Sequence, residues 1–127
     1  MQNQELTERI IGCAFRVYNK MSFGYLESVY ENCLLIELQK AGISAESQKQ
    51  ITVYYDDLPV GEFVADIVVE DQIIVELKSD KNLTTVHEVQ LVNYLTATRK
   101  DVGLLLNFGP TKVEVKRKVR DLKQAYG

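Results

Sequence analysis

Three residues near the middle of this 127-residue chain, Asp66, Glu76 and Lys78, bring charge into segments otherwise built from β-branched and apolar side chains. Residues 60–70 alternate as a strand does. Phe63, Ala65, Ile67 and Val69 therefore fall on one face and Glu62, Val64, Asp66 and Val68 on the other. Residues 73–79 form the next strand, with Ile74, Glu76 and Lys78 on one face and Ile73, Val75 and Leu77 on the other. Register decides whether the acids meet. A three-residue turn at Glu70-Asp71-Gln72 sets Asp66 opposite Glu76, whereas a two-residue turn sets it opposite Leu77 and separates the carboxylates. Two carboxylates converging among apolar neighbours are costly unless a cation or hydrogen bonds compensate. Mg²⁺ takes oxygen from one or two carboxylates and completes its shell with water and substrate phosphate, which this pair can accommodate. Lys78 would then offset developing negative charge or orient an attacking water. The competing reading is an ordinary cross-strand salt bridge between Lys78 and an acid on a solvated face; these three residues alone do not separate the two.

The flanking segments must position them. Leu6, Ile10, Ala14 and Val17 recur at helical spacing over 6–18, and the pattern resumes over 26–41 until Gly42, a residue suited to a helix end that needs positive φ. The chain is thus expected to open with a helical hairpin. Beyond Ser44 the period changes to two, with Ile51, Val53 and Tyr55 in a strand ended by the turn residues Asp56-Asp57-Leu58-Pro59. Residues 84–100 are helical, capped by Thr84 or Thr85. Residues 102–108 form a buried strand, and Val113 and Val115 mark a last strand at the sheet edge, followed by a charged tail. A strand-helix-strand crossover makes residues 73–79 and 102–108 parallel while the hairpins are antiparallel, so the expected fold is α/β with a mixed central sheet flanked by helices. One domain spans 1–127, because domains take about 100–200 residues.

Two further constellations lie on the helices. Glu27 and Glu31 share the helical sector of Leu34 and Leu38; the simple reading sets both at the boundary near the helix N-terminus, where the dipole favours negative charge, and Glu27 fits it less readily than Glu31 once the strands are considered. On the third helix His87, Gln90 and Tyr94 occupy a sector of roughly 60°, a polar stripe inside an apolar surface that a helix packed on the sheet would aim at the carboxylates. A lone histidine is more often a structural group than a ligand or base.

At this point the residues resemble a known pattern. Asp66, nine intervening residues and Glu76-Leu77-Lys78 are similar to the D…(D/E)xK signature of the PD-(D/E)xK nuclease superfamily, with Ala65 where the eponymous proline stands. Gln90-x-x-x-Tyr94 resembles the QxxxY motif of its RecB-like and exonuclease-like branches, and Gly24 to Tyr30 reads as the GxxExxY motif that names a group of small bacterial proteins in the superfamily. Each motif is weak alone, but three in this order, over about Leu6 to Val115, are specific together. The resemblance implies a restriction-endonuclease-like core that hydrolyses phosphodiester bonds with Mg²⁺, or Mn²⁺ in its place. It implies that Asp66, Glu76, Glu27 and the backbone carbonyl of Leu77 hold the metal, that Lys78 positions water and offsets charge, and that Gln90 joins the catalytic set. It also implies that Tyr94, Tyr30 and His87 contact the substrate, DNA with RNA as the alternative.

Composition is consistent with that chemistry and excludes others. The formal net charge of -3 argues against bulk electrostatic coating of nucleic acid, yet charge is segregated: eight acids from Asp56 to Asp80 stand against Lys78 alone, and six bases from Lys112 to Lys123 against Glu114 and Asp121. No nucleophile elbow or phosphate-binding glycine loop occurs, and one His with two Cys is too few for zinc. Cys13 and Cys33 read as reduced thiols, with a helix-to-helix disulfide as the alternative. No run approaches the roughly 18 apolar residues of a membrane span and the N-terminus lacks a signal pattern, so a cytoplasmic protein without membrane association is expected. An open edge at the last strand suggests pairing of two copies as a homodimer. The alternative function is a non-catalytic interaction or subunit module that retains the fold.

Overall fold

The apolar stripe of the first segment becomes the buried face of α1 (Gln4–Met21), which packs Ile10, Cys13, Ala14 and Val17 against α2 (Glu27–Lys40) and the sheet beneath. These placements come from a computed structural model that describes residues 3–120. The helical hairpin expected at the N-terminus is present. α2 ends as its Gly42 suggests: Gly42 adopts φ 74, its N–H donates to Gln39 O, and Ile43 N–H donates to Leu38 O, satisfying two terminal carbonyls. Between the two helices the buried Glu37 carboxylate is ringed by Arg16 at 3.2 Å, Lys40 at 3.3 Å and Lys20 at 3.6 Å.

The strands are β1 (Ala45–Tyr55), β2 (Leu58–Val69), β3 (Ile73–Lys78), β4 (Val102–Phe108) and β5 (Val113–Val119), and their spatial order follows their sequence order. Neighbours are antiparallel except β3 and β4, which are parallel and joined by α3 (Thr85–Thr98). The sheet is therefore mixed, as the crossover requires. The helical hairpin covers one face through Ile67, Val69, Ile73, Val75 and Leu77, while α3 covers the other through Leu91 and Leu95 against Ala65, Val68, Ile74 and Leu105. β4 is buried along its full length, matching its continuous apolar run. Cys13 and Cys33 are both free thiols.

Two details depart from the alternation read in the sequence. The turn between β1 and β2 is Asp56-Asp57 alone, both at positive φ (50° and 63°), so the strands reach Tyr55 and Leu58 and Pro59 lies within β2, beside a bulge at Val53/Tyr54. More consequentially, Phe63 and Ala65 pack on the α3 side with Val68, while Ile67 and Val69 face the helical hairpin. β2 thus changes parity at Asp66. The cause is local: the pairs Ser47↔Ile67 and Lys49↔Ala65 flank a gap where Gln48 and Asp66 form no ladder pair, and Gln48 stands at φ 51.

α3 lies close against the sheet because Gly103 has no side chain. A Cβ there would fall 2.9 Å from Leu91 Cδ1 and 3.1 Å from its Cγ, closer than packed carbons tolerate. Gly103→Ala is expected to destabilise the protein by about 1–3 kcal/mol through overpacking, and the Gly103→Ala/Leu91→Ala double variant to lose less than the sum of the Gly103→Ala and Leu91→Ala losses. Thermal melts of the three variants check this, and an unchanged melting temperature in Gly103→Ala would refute it.

Candidate active site

The turn between β2 and β3 has three residues, with Gln72 N–H donating to Val69 O, and the pairs Ile67↔Val75, Val68↔Ile74 and Val69↔Ile73 set a register in which Asp66 faces Glu76. The ladder stops one step before that pair. Instead, Asp66 N–H donates to Glu76 Oε2 at 2.9 Å, and Leu77 N–H donates to Asp66 Oδ2 at 2.8 Å. Each carboxylate replaces a carbonyl as the acceptor for the opposite strand. The strands splay, and both acids are fixed by backbone rather than by flexible side chains.

The electrostatics follow from this crowding. Glu76 is pushed up to about 8, first by burial, then by the negative charge of Asp66 and also by that of Glu31, against the opposing Asp66 N–H and the ammonium of Lys78. Lys78 lies two residues along on the same strand face; none of the close ion pairs among the described residues includes it, and its charge acts on Glu76 without a direct contact. Tyr94 is raised by burial and then by the charges of Glu76 and Asp66, and its ring stacks on Phe63 with centroids 3.7 Å apart. Burial also raises Glu31, with Asp66 adding to the effect and a hydrogen bond from Gln48 opposing it.

The other expected residues are distributed differently. On α2 the acid whose charge reaches Asp66 and Glu76 is Glu31, while Glu27 is exposed near the helix start. The reason is depth: Glu31 lies one turn further along the shared apolar stripe, where β1 passes beneath. Tyr30, expected to contact substrate, lies in the core. It is fully buried, stacks on Phe108 with centroids 4.4 Å apart, donates its hydroxyl proton to Ser22 O and accepts from Tyr25 N–H, so the tyrosine of this motif anchors the helix start. Gln90 is exposed on α3; His87 is half-buried with its Nδ1 lacking a hydrogen-bond partner, and its helix turn lies next to Glu88, which pairs with Lys118 on β5. Leu77 contributes its N–H to the pair. The basic segment falls on β5, two strand spacings or about 10 Å from β3, with Lys112 and Lys116 exposed and Lys118 and Arg120 paired to Glu88 and Asp101; the tail with Lys123 lies outside the described residues.

Sequence reasoning missed two contributors. Gln48 donates its amide to both Glu31 oxygens, at 2.8 and 3.1 Å. Asn107, fully buried, donates to Asp80 O and Glu114 Oε1 and accepts from Asp80 N–H, which holds the chain just beyond Lys78. An asparagine inside the apolar run of β4 was the available signal for the second; a polar residue in an already polar stretch of β1 offered none for the first.

Because Glu76 holds its proton to about 8 when folded but releases it near 4.5 when unfolded, its contribution to stability is complete below about 4.5 and is lost as pH rises through about 8. Without added metal, Glu76→Gln should therefore be more stable than the unsubstituted protein at pH 8.5, with the gap closing towards pH 4.5. Thermal melts across that range in a chelator give the answer, and a gap independent of pH would show that Glu76 does not titrate in this way.

A family model described as the PD-(D/E)XK nuclease superfamily matches residues 4–118. No curated protein matches the chain in sequence. Among solved structures, that of SSO0001 is similar, with a TM-score of 0.60 and 21% identity; the likeness covers 79% of this chain and 53% of that one, so this chain spans about half the length of that protein, and the likeness concerns the fold alone. No helix among the described residues is long and apolar enough to cross a membrane. The family match takes in the three helices, nearly all of the sheet and the Asp66, Glu76 and Lys78 positions, and the chain belongs to the PD-(D/E)XK nuclease superfamily.

Proposed function

We propose that this protein is a divalent-metal-dependent nuclease that hydrolyses phosphodiester bonds of DNA, with RNA as the alternative substrate, and that it belongs to the GxxExxY group of the superfamily. The observation that carries the reading is the reciprocal tie between Asp66 and Glu76, which brings two carboxylates together with Lys78 on the next outward position of β3.

The donor set fits Mg²⁺ or Mn²⁺: hard oxygens only, and two carboxylates where such ions commonly take one or two. Among the described residues no three His, Cys, Asp or Glu side chains form a group able to hold a metal, so water and substrate phosphate would supply the remaining ligands. Asp66 and Glu76 each spend one oxygen on a backbone N–H, leaving the other to bind the cation together with the Leu77 carbonyl. When bound, the cation polarises the phosphate, lowers the pKa of water and stabilises the leaving oxygen. Lys78 places an ammonium where charge develops on the phosphate and hydrogen-bonds the attacking water. Tyr94, held by its stack on Phe63, forms one wall with its phenol facing the acids, and Gln90 one turn earlier contacts the substrate backbone. Glu31 adds negative charge that raises Glu76 and would draw a cation towards the pair.

Purified protein with Mg²⁺ or Mn²⁺ should cleave linear, circular or single-stranded DNA, or RNA, and a chelator should abolish the cleavage. Lys78→Ala should lower the rate about 10²-fold or more, in line with loss of a charge-stabilising group. Equal activity in the variant would remove Lys78 from the mechanism. No metal-dependent cleavage of any of these substrates would favour a non-catalytic module.

A further inference from the structure

Gln48 is the one residue inside β1 with positive φ, at 51°, among the described residues. A non-glycine residue in that region is strained, and such strain persists only where the surroundings impose it. Here it sits at the rung opposite Asp66, in the gap between the pairs Ser47↔Ile67 and Lys49↔Ala65, where β2 changes parity. From there the side chain crosses to α2, and its amide nitrogen donates to both carboxylate oxygens of Glu31, at 2.8 and 3.1 Å. A single residue thus joins the strand break beside Asp66 to the acid whose charge bears on Asp66 and Glu76.

We infer that Gln48 is a positioning residue: its strained backbone and bidentate amide hold the Glu31 carboxylate over the Asp66/Glu76 pair, where Glu31 orders water around a bound divalent cation. The inference rests on the metal-dependent reading above. Glutamine suits the task chemically. Its amide donates to a carboxylate without neutralising it, so Glu31 keeps its charge, whereas a lysine there would cancel the field that attracts a cation. Among the described residues, the charges that interact with Glu31 are those of Asp66 and Glu76 from the strands, and Gln48 from β1 hydrogen-bonds it.

The test exploits the opposition between strain and function. Gln48→Gly accepts positive φ without cost, so its melting temperature without metal should equal or exceed that of the unsubstituted protein. Its affinity for Mn²⁺, titrated calorimetrically, should nevertheless fall roughly tenfold or more, the usual effect of removing a group that orients a metal-site acid. In a Glu31→Gln background the same substitution should have no further effect on affinity, because Gln48 acts through Glu31. A merely structural role predicts the reverse: lower melting temperature and unchanged Mn²⁺ affinity. That result, or additive losses in the double variant, would overturn the inference while leaving the nuclease reading intact if the unsubstituted protein binds Mn²⁺ and cleaves. Absence of Mn²⁺ binding by the unsubstituted protein would overturn both.

Discussion

The structure depends on one exchange of hydrogen bonds. Where β2 and β3 would continue their ladder, the Asp66 and Glu76 carboxylates accept the backbone N–H groups that carbonyls would otherwise have taken. No backbone donor is left without a partner by this substitution, and the acids gain positions as well defined as the sheet itself. The cost is electrostatic. Burial first, and then the neighbouring charge of Asp66, push Glu76 up to about 8. A cation would relieve the repulsion without disturbing the backbone bonds that create it.

The remaining elements fall into place around this exchange. α3 must lie close to the sheet for Tyr94 to reach the acids, and the bare Cα of Gly103 allows it. α2 must present Glu31 from the opposite face, and its placement is secured by the fully buried Tyr30, Leu34 and Leu38 and by the three cations around Glu37. Asn107 ties down Asp80, so the strand carrying Lys78 ends at a fixed point. Both helical layers are therefore needed, one for each side of the splayed strands.

Much of this was legible in the sequence because periodicity and parity are strong constraints. The helical hairpin, the parallel pairing across α3 and the full burial of β4 all follow from spacing alone, whereas spacing left a two-residue and a three-residue turn open between β2 and β3, and the structure has the three-residue turn that opposes Asp66 to Glu76. The parity of Phe63 and Ala65 did not, because alternation assumes an unbroken ladder and the break at Gln48/Asp66 has no local signature. Glu27 and Glu31 share one helical sector, so angle could not rank them; depth in the apolar stripe did. Tyr30 was misplaced for a related reason: a tyrosine between two acids reads as polar, yet its ring belongs to the core and its hydroxyl to the preceding loop.

The two hairpin turns of the sheet differ in what they can tolerate over evolutionary time. Asp56-Asp57 closes an exposed arm whose tip carries Tyr54, Tyr55 and Leu58, and residues gained or lost there lengthen or shorten a ribbon without moving the acids. Glu70-Asp71-Gln72 works instead as a counting device. One residue fewer would slide β3 past β2 by half a repeat and set Leu77 where Glu76 stands, and one residue more would set Val75 there, so length at this turn should be under stricter selection than the identity of the residues that fill it.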